Sequence, residues 1–484
     1  MGLFGILLGL ALLIWLAYRG WSILLLAPAA ALIAAAFAGG PLLAYWTQTF
    51  MGSAAAFVAQ FFPLFLLGAI FGKLMEDSGS VAAIADFMTQ WLGPQRAILI
   101  VVLAGALVTY GGVSLFVAVF VLVPMAQALF RTGQIPNRLI PATVALGTST
   151  FTMSALPGTP AIQNAIPIPF FGTTSLAAPG LGIIASAIMA GFGLWWLGRA
   201  AGAARRKGES FGPAPSSSAD EAAEDERVRQ RATTAREFDP AEVRRGQPSY
   251  VPQPIGLAAL PLFVVIAVNV LMTLVVLPRL DVSFLAEERF GATSLAAVGG
   301  IWSVVTALLA AIVAVLIVNW RRLGAVRDSL DSGANASVLP ILSVASLVGF
   351  GAVVAAVPAF EIVRNWVLSI EGGPLVSLAV ATNLLSALTG SASGGLTIAL
   401  DALGTAYMRL AAEHGIDPAL LHRIAVMSAG TLDSLPQNGA VVTMLAVCGS
   451  THSQSYFDIV MAAIVGPIIA LVVVIALGSW VGSF

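Results

Sequence analysis

An apolar stretch that begins near Leu139 runs into TSTFTMSALPGTPAIQNAIP, residues 148–167, and cannot continue there as a helix. Pro157 and Pro160 lack the N–H that a helix needs, and Gly158 lies between them. The hydroxyls of Thr148, Ser149, Thr150, Thr152 and Ser154 crowd the approach. At membrane depth no water satisfies freed backbone groups, so such a break persists only where protein surrounds it or where it lines a cavity. A second stretch, AGTLDSLPQNGAVVTMLAVCG, occupies residues 429–449 and answers Leu156-Pro157 with Leu435-Pro436. Interrupted segments in corresponding places of two halves point to the central site of a secondary transporter.

The rest of the chain agrees with a membrane setting. Of 484 residues, 58% are hydrophobic and 10% charged, with a mean hydropathy of +0.93. Several continuous apolar runs are long enough for a hydrocarbon core of roughly 30 Å, which indicates an all-α polytopic protein rather than a β-barrel. A net charge of −1 excludes a strongly basic nucleic-acid binder, and the single Cys448 excludes an intrachain disulfide. His414, His422 and His452 have no ligand spacing, so no metal, cofactor or enzymatic cluster is expected.

Residues 3–17 lack the basic start of a signal peptide and read as the first transmembrane helix. Residues 21–38 form the second, and after an uncharged loop, 39–48, residues 51–71 form the third. An amphipathic stretch, 81–91, should lie at the interface with Asp86 towards water and Phe87 and Trp91 towards lipid. Residues 97–109 reach only about 20 Å, too short to span, and stop at Tyr110-Gly111-Gly112-Val113-Ser114. With a returning arm they make a re-entrant hairpin, 96–131, followed by a broken helix, 139–170, and a closing run, 176–197.

The linker, 199–250, holds ten basic and nine acidic residues. It is too polar to bury a core and divides a first membrane repeat, 1–198, from a second, 251–484. The second repeat contains apolar runs at 255–277, 294–319 and 338–358, an amphipathic stretch at 361–370, and a hairpin, 375–410, tipped by Thr389-Gly390-Ser391-Ala392-Ser393-Gly394. A broken helix, 418–449, and a last run, 459–481, follow. One shift of 279 pairs Pro157 with Pro436, Gly111 with Gly390, Ser114 with Ser393, Ser149 with Ser428 and Thr152 with Thr431. Five crossings and a hairpin per half make the repeats inverted. With the linker in the cytoplasm, Arg19, Lys73, Arg96, Arg131, Arg138, Arg321, Arg322 and Arg327 lie inside. Arg279, Arg289, Arg364, Arg409 and Arg423 lie outside, and both termini are expected to be periplasmic.

Two tips meeting two breaks near the midplane would form a cavity of small and hydroxylated residues. Helix N-termini carry roughly half a positive charge with free N–H groups, so several directed at one point suit a carboxylate without any arginine. The candidate substrate-binding residues are Tyr110, Gly111, Gly112, Ser114, Thr152, Ser154, Gly158, Thr159, Gln163, Asn164, Gly390, Ser391, Ser393, Thr431, Ser434, Gln437 and Asn438. Such a lining fits a small hydroxy acid or sugar acid; the alternative is that these small residues serve close helix packing alone. Tyr110 could touch substrate or anchor the tip. Asp433, placed where the first half has Ser154, is the candidate proton-coupling group, because an intramembrane carboxylate is costly and marks function. Asp401 is a second candidate. Glu76, Asp77, Glu361, His414 and His452 are expected to be solvated at the interfaces.

At FGKLMEDSG (71–79), the YGG tip (110–112), ALPGTPAIQNAIP (155–167) and TLDSLPQNG (431–439), the sequence resembles the gluconate:proton symporter (GntP) family of the ion transporter superfamily. The resemblance covers most of both membrane halves and leaves out the linker. It implies an inner-membrane permease for gluconate, 3-hydroxybutyrate or D-serine-like acids, driven by protons. It further implies hairpins within a mobile transport domain carried past a scaffold by an elevator movement, often in a homodimer. The serine-asparagine-threonine signatures of the superfamily's sodium-coupled carriers are missing at both tips, which favours protons over sodium. A sodium symporter and a passive anion channel are the alternative readings.

Overall fold

The computed structural model describes residues 2–18, 21–113, 115–211, 249, 253–436 and 438–484. Most of the charged linker, Ser114 and Gln437 fall outside them. Among the described residues the fold is helical throughout, without a strand. Six helices are long and apolar enough to cross a membrane: Leu42–Asp77, Pro179–Arg206, Ile255–Arg279, Ala297–Asn319, Val326–Ala356 and His452–Val481.

Several boundaries differ from the sequence reading for identifiable reasons. The third helix begins at Leu42, within the expected loop, because Pro41 ends the turn after Gly39 and Leu-Leu-Ala then favours helix. It continues to Asp77 through a π-turn at Tyr45–Phe50. The run at 338–358 is preceded by the amphipathic helix Val326–Ala336, which buries Ser329, Ser332 and Gly333. The closing helix of the first half continues through Arg206, so helical order extends past the change in charge composition at residue 199.

Both hairpins are present, and the returning arm of the second is longer than expected from the sequence. Ala97–Tyr110 is 14 residues long, about 21 Å, and turns back into Leu115–Thr132. Gly373–Thr389 turns within Gly390 and Ser391 into Ala392–His414. Gly390 adopts φ +63°, and the Ser391 side chain caps the returning arm by accepting from Gly394 N. Close approach sets the spacing of these arms: a Cβ on Gly395 would lie 2.3 Å from the Ser386 backbone. The amphipathic helices are also present. Ser80–Leu92 buries Val81, Ile84 and Ala85 and exposes Asp86, Phe87 and Trp91.

Each hairpin packs on the broken helix of its own half, and Pro179–Arg206 packs along the end of His452–Val481. A second group is built on Leu42–Asp77, which contacts Val326–Ala356 and Leu295–Asn319. At one periphery, Arg138 Nε donates to Glu209 at 2.7 Å and Nη1 to Asp458 at 2.6 Å. The hydrogen bond from Arg138 holds the Glu209 carboxyl below the usual carboxylate range. That contribution is present at neutral pH and is lost as acidification protonates Glu209; its exposure keeps the contribution small.

Gly395→Ala should lower thermal stability in detergent by about 1–3 kcal/mol, because backbone must move to admit the methyl. Gly198→Ala, with no atom within 4 Å of its Cβ position, should be neutral or slightly stabilising.

Candidate functional site

The first break is irregular from Ser149 to Ala161, apart from one short turn, Phe151–Ser154. Its hydroxyls bond backward along the chain: Thr148 Oγ1 to Val144 O, Thr150 Oγ1 to Leu146 O, Thr152 Oγ1 to Gly147 O, and Ser154 Oγ to Thr150 O. The carbonyls freed further on are satisfied from elsewhere. Tyr110 OH donates to Pro157 O at 2.7 Å, so the first tip holds the first break. Gly158, at φ +78°, receives Asn269 Nδ2 on its carbonyl and donates its N–H to Ser175 O.

Asn164 is fully buried. Its Nδ2 donates to Thr159 O at 3.0 Å and to Ser175 O at 2.9 Å, so Oδ1 faces His422 Nε2 at 3.2 Å and Arg423 Nη1 at 3.5 Å. His422 therefore carries its proton on Nε2, and Nδ1 accepts from Thr173 Oγ1 at 2.6 Å. Arg423, at 0% exposure, donates to Ala177 O at 2.6 and 3.1 Å and to Ala155 O at 3.2 Å. The first half of the second broken helix thus secures the break of the first.

The distribution of Lys and Arg assigned Arg423 to the outer side as a topological marker, yet its side chain is fully buried. Its guanidinium lies among carbonyls that have no water to turn to, and it carries no weight as a topological marker. Nothing in its local sequence separates it from an interfacial arginine.

The second break spans 430–438, between Pro418–Ala429 and Gly439–Val447. Asn438 Nδ2 donates to Gly390 O at 2.7 Å, and its Oδ1 accepts from Ala440 N at 2.7 Å. One side chain therefore ties the second break to the second tip and caps the following helix. Thr431 Oγ1 donates to Met427 O, Tyr456 OH to Ser434 O, and His452 Nε2 to Pro436 O.

These four elements meet around a cavity of about 290 Å³, near the lower end of small-molecule pockets. One wall is formed by Thr109, Gly112, Thr148, Thr152, Gln163, Ser391, Ser393, Asp433 and Asn438, and the other by Leu42–Asp77 and Val326–Ala356 through Gly68, Lys73, Ser332, Ser337 and Ser343. Of the candidate residues, Gly112, Thr152, Gln163, Ser391, Ser393, Asn438 and Asp433 share this lining.

The other candidates hold the framework or lie apart. Tyr110, Ser154, Gly158, Thr159 and Asn164 satisfy or shape the first break, and Gly390 and Thr431 do the same in the second half. Gly111 admits Leu262, whose Cδ2 would lie 2.0 Å from a Cβ there. Ser434 is buried beside Asp433, its Oγ 3.4 Å from Oδ1, outside the lining. Asp401 is exposed and outside it as well. Ser114 and Gln437 lie outside the described residues.

Asp77 and Glu76 are not solvated. Asp77 is 1% exposed, and Lys73 Nζ stands 3.0 Å from Asp77 Oδ1 and 3.3 Å from Glu76 Oε2. The pairs follow from i,i+3 and i,i+4 spacing on a helix longer than expected. Sequence reasoning ended that helix at Phe71 and so missed both the cluster and the lining position of Lys73. Glu361, His414 and His452 are exposed, as expected.

Residues 1–201 match the family model described as GntP family permease. Over 468 residues, 94% of each protein, the chain is 40% identical to the uncharacterized transporter YxjC of Bacillus subtilis (strain 168). The chain belongs to the GntP permease family. The family and its relative both carry transporter names, which agrees with a multi-pass membrane permease rather than an enzyme. In this GntP permease the motif 155–167 holds mainly the framework of the break, whereas the cavity takes its charged groups from 71–79 and 431–439.

Arg423→Met should destabilise the permease by about 3 kcal/mol or more, because it leaves the Ala155 and Ala177 carbonyls unpaired. Thermal unfolding in detergent measures the loss. Arg423→Lys should restore only part of it, since one ammonium cannot reproduce the fork that reaches both carbonyls.

Proposed function

We propose that this permease is a secondary active transporter that takes up a small hydroxylated monocarboxylate together with a proton. The substrate would be a gluconate-like sugar acid or a 3-hydroxybutyrate-like acid. The observation that carries this reading is one cavity where both tips and both breaks meet, with hydroxyl and amide groups set among apolar side chains. Among the described residues, Lys73 and Asp433 are its only charged side chains. The 23-residue helix Ala392–His414 begins at the cavity wall, and Gly439–Val447 begins beside Asn438, so the positive ends of two helix dipoles lie close to where an anion would sit. Seven candidate residues line a space suited to a ligand that itself carries hydroxyls.

Asp433 is the proposed coupling group. A carboxylate in the cavity repels an entering anion, and protonation removes the repulsion, so proton and substrate each favour the other's binding. Asp401 lacks a position in the lining and is the weaker choice. The two cavity walls suit an elevator movement. The hairpins and broken helices, related by the 279-residue shift as inverted repeats, would form the moving part, and Leu42–Asp77 with Val326–Ala356 would belong to the scaffold. We place the protein in a bacterial inner membrane as a homodimer, with the linker in the cytoplasm and the termini in the periplasm.

In proteoliposomes, Asp433→Asn should retain exchange of labelled for unlabelled substrate while losing accumulation driven by a pH gradient. Full retention of pH-driven accumulation contradicts the assignment. Accumulation driven by a sodium gradient alone reassigns the coupling ion.

A further inference from the structure

Lys73 stands apart from the other polar groups of the cavity. It is 3% exposed, it lines the wall opposite the tips, and it is the only basic side chain there among the described residues. Its ammonium lies between Asp77 at 3.0 Å and Glu76 at 3.3 Å, and Asp77 Oδ2 also accepts from Ser329 Oγ at 2.6 Å. Asp433 shares the cavity lining with Lys73, whereas the charges on the elements packed around the cluster turn outward. Arg327, Asp328 and Asp331 on Val326–Ala336 are exposed, as are Asp86 on Ser80–Leu92 and Arg131 on Leu115–Thr132. Leu295–Asn319 and Val338–Ala356 carry no charged side chain.

Stability alone explains this cluster poorly. Buried ion pairs return little of their desolvation cost, and apolar residues of similar volume are often at least as stable. Glu76 and Asp77 also occupy the last turn of Leu42–Asp77, where carboxylates oppose the helix dipole. An ammonium at the cavity wall, held by two carboxylates of which one is fixed by a serine, has instead the form of a cation available to an incoming anion.

We propose that Lys73 receives the substrate's carboxylate, and that Glu76 and Asp77 act as internal competitors that hold the ammonium in place while the cavity is empty. Glu76 is the partner that yields, because Asp77 is retained by Ser329 as well as by the shorter ion pair. Lys73 thereby selects carboxylates over equally hydroxylated neutral compounds, while the hydroxyl and amide lining reads the rest of the molecule. The inference rests on the reading of the permease as a carboxylate transporter.

Titration of the purified full-length protein with 3-hydroxybutyrate and gluconate, and with their primary amides, tests it. The wild type should bind an acid and discriminate against its amide. Lys73→Gln should weaken acid binding by about 10- to 100-fold and abolish the preference, while Lys73→Arg should keep it in part. Glu76→Gln should tighten acid binding roughly threefold by removing a competitor, an effect that a purely structural ion pair does not produce. If Lys73→Gln does not fold, Glu76→Gln decides alone: unchanged or weaker acid binding overturns the inference. A folded Lys73→Gln variant that keeps the acid preference also overturns it and leaves carboxylate transport standing. A wild type that prefers neither acid over its amide contradicts the transport reading itself.

Discussion

The structure depends on satisfying backbone carbonyls where the chain is not helical in a region without water. In the first break the fully buried guanidinium of Arg423 reaches Ala155 and, beyond the break, Ala177, while Tyr110 and Asn269 satisfy Pro157 and Gly158, and Asn164 closes Thr159 and Ser175 onto each other. An unpaired buried carbonyl costs about 1–3 kcal/mol, so several left open would rival the whole stability of a domain. That cost explains why an arginine, a histidine, an asparagine and a tyrosine are gathered around so short a stretch.

The same network joins the two halves. Arg423 and His422 belong to the second broken helix but serve the first break, while Tyr110 and Asn438 tie each tip to the break of its own half. Tips and breaks are therefore coupled as one polar assembly. The opposite wall combines serines and small residues with Leu64, Phe65, Val344 and Leu347 on two long helices, with Lys73 as its charged group. Gly333 shows how closely those helices approach: a Cβ there would lie 2.7 Å from the Ile70 Cα.

Much of this could be read in the sequence because proline and glycine interrupt apolar runs at defined places. The tip at Gly111 and Gly112, the breaks around Pro157 and Pro436, and the short arm 97–110 follow from missing donors and from length alone. The role of individual polar residues could not. Thr159 and Asn164 have the composition expected of a ligand cradle, yet their partners are backbone groups brought close only by the fold. Arg423, 268 residues from Ala155, looks like any interfacial arginine until the helices are assembled. Lys73, Glu76 and Asp77 were obscured by a misplaced helix end, since a helix stopped at Phe71 puts all three in solvent.

The central claim is that the cavity between tips and breaks drives concentrative carboxylate uptake. Its most direct test is the time course of labelled 3-hydroxybutyrate and gluconate in proteoliposomes under an imposed inward proton gradient. The account predicts that one of the acids rises transiently above its equilibrium level, and that a protonophore abolishes the rise. Equilibration at the same level and rate with and without the gradient would contradict it and mark the cavity as a passive anion pathway.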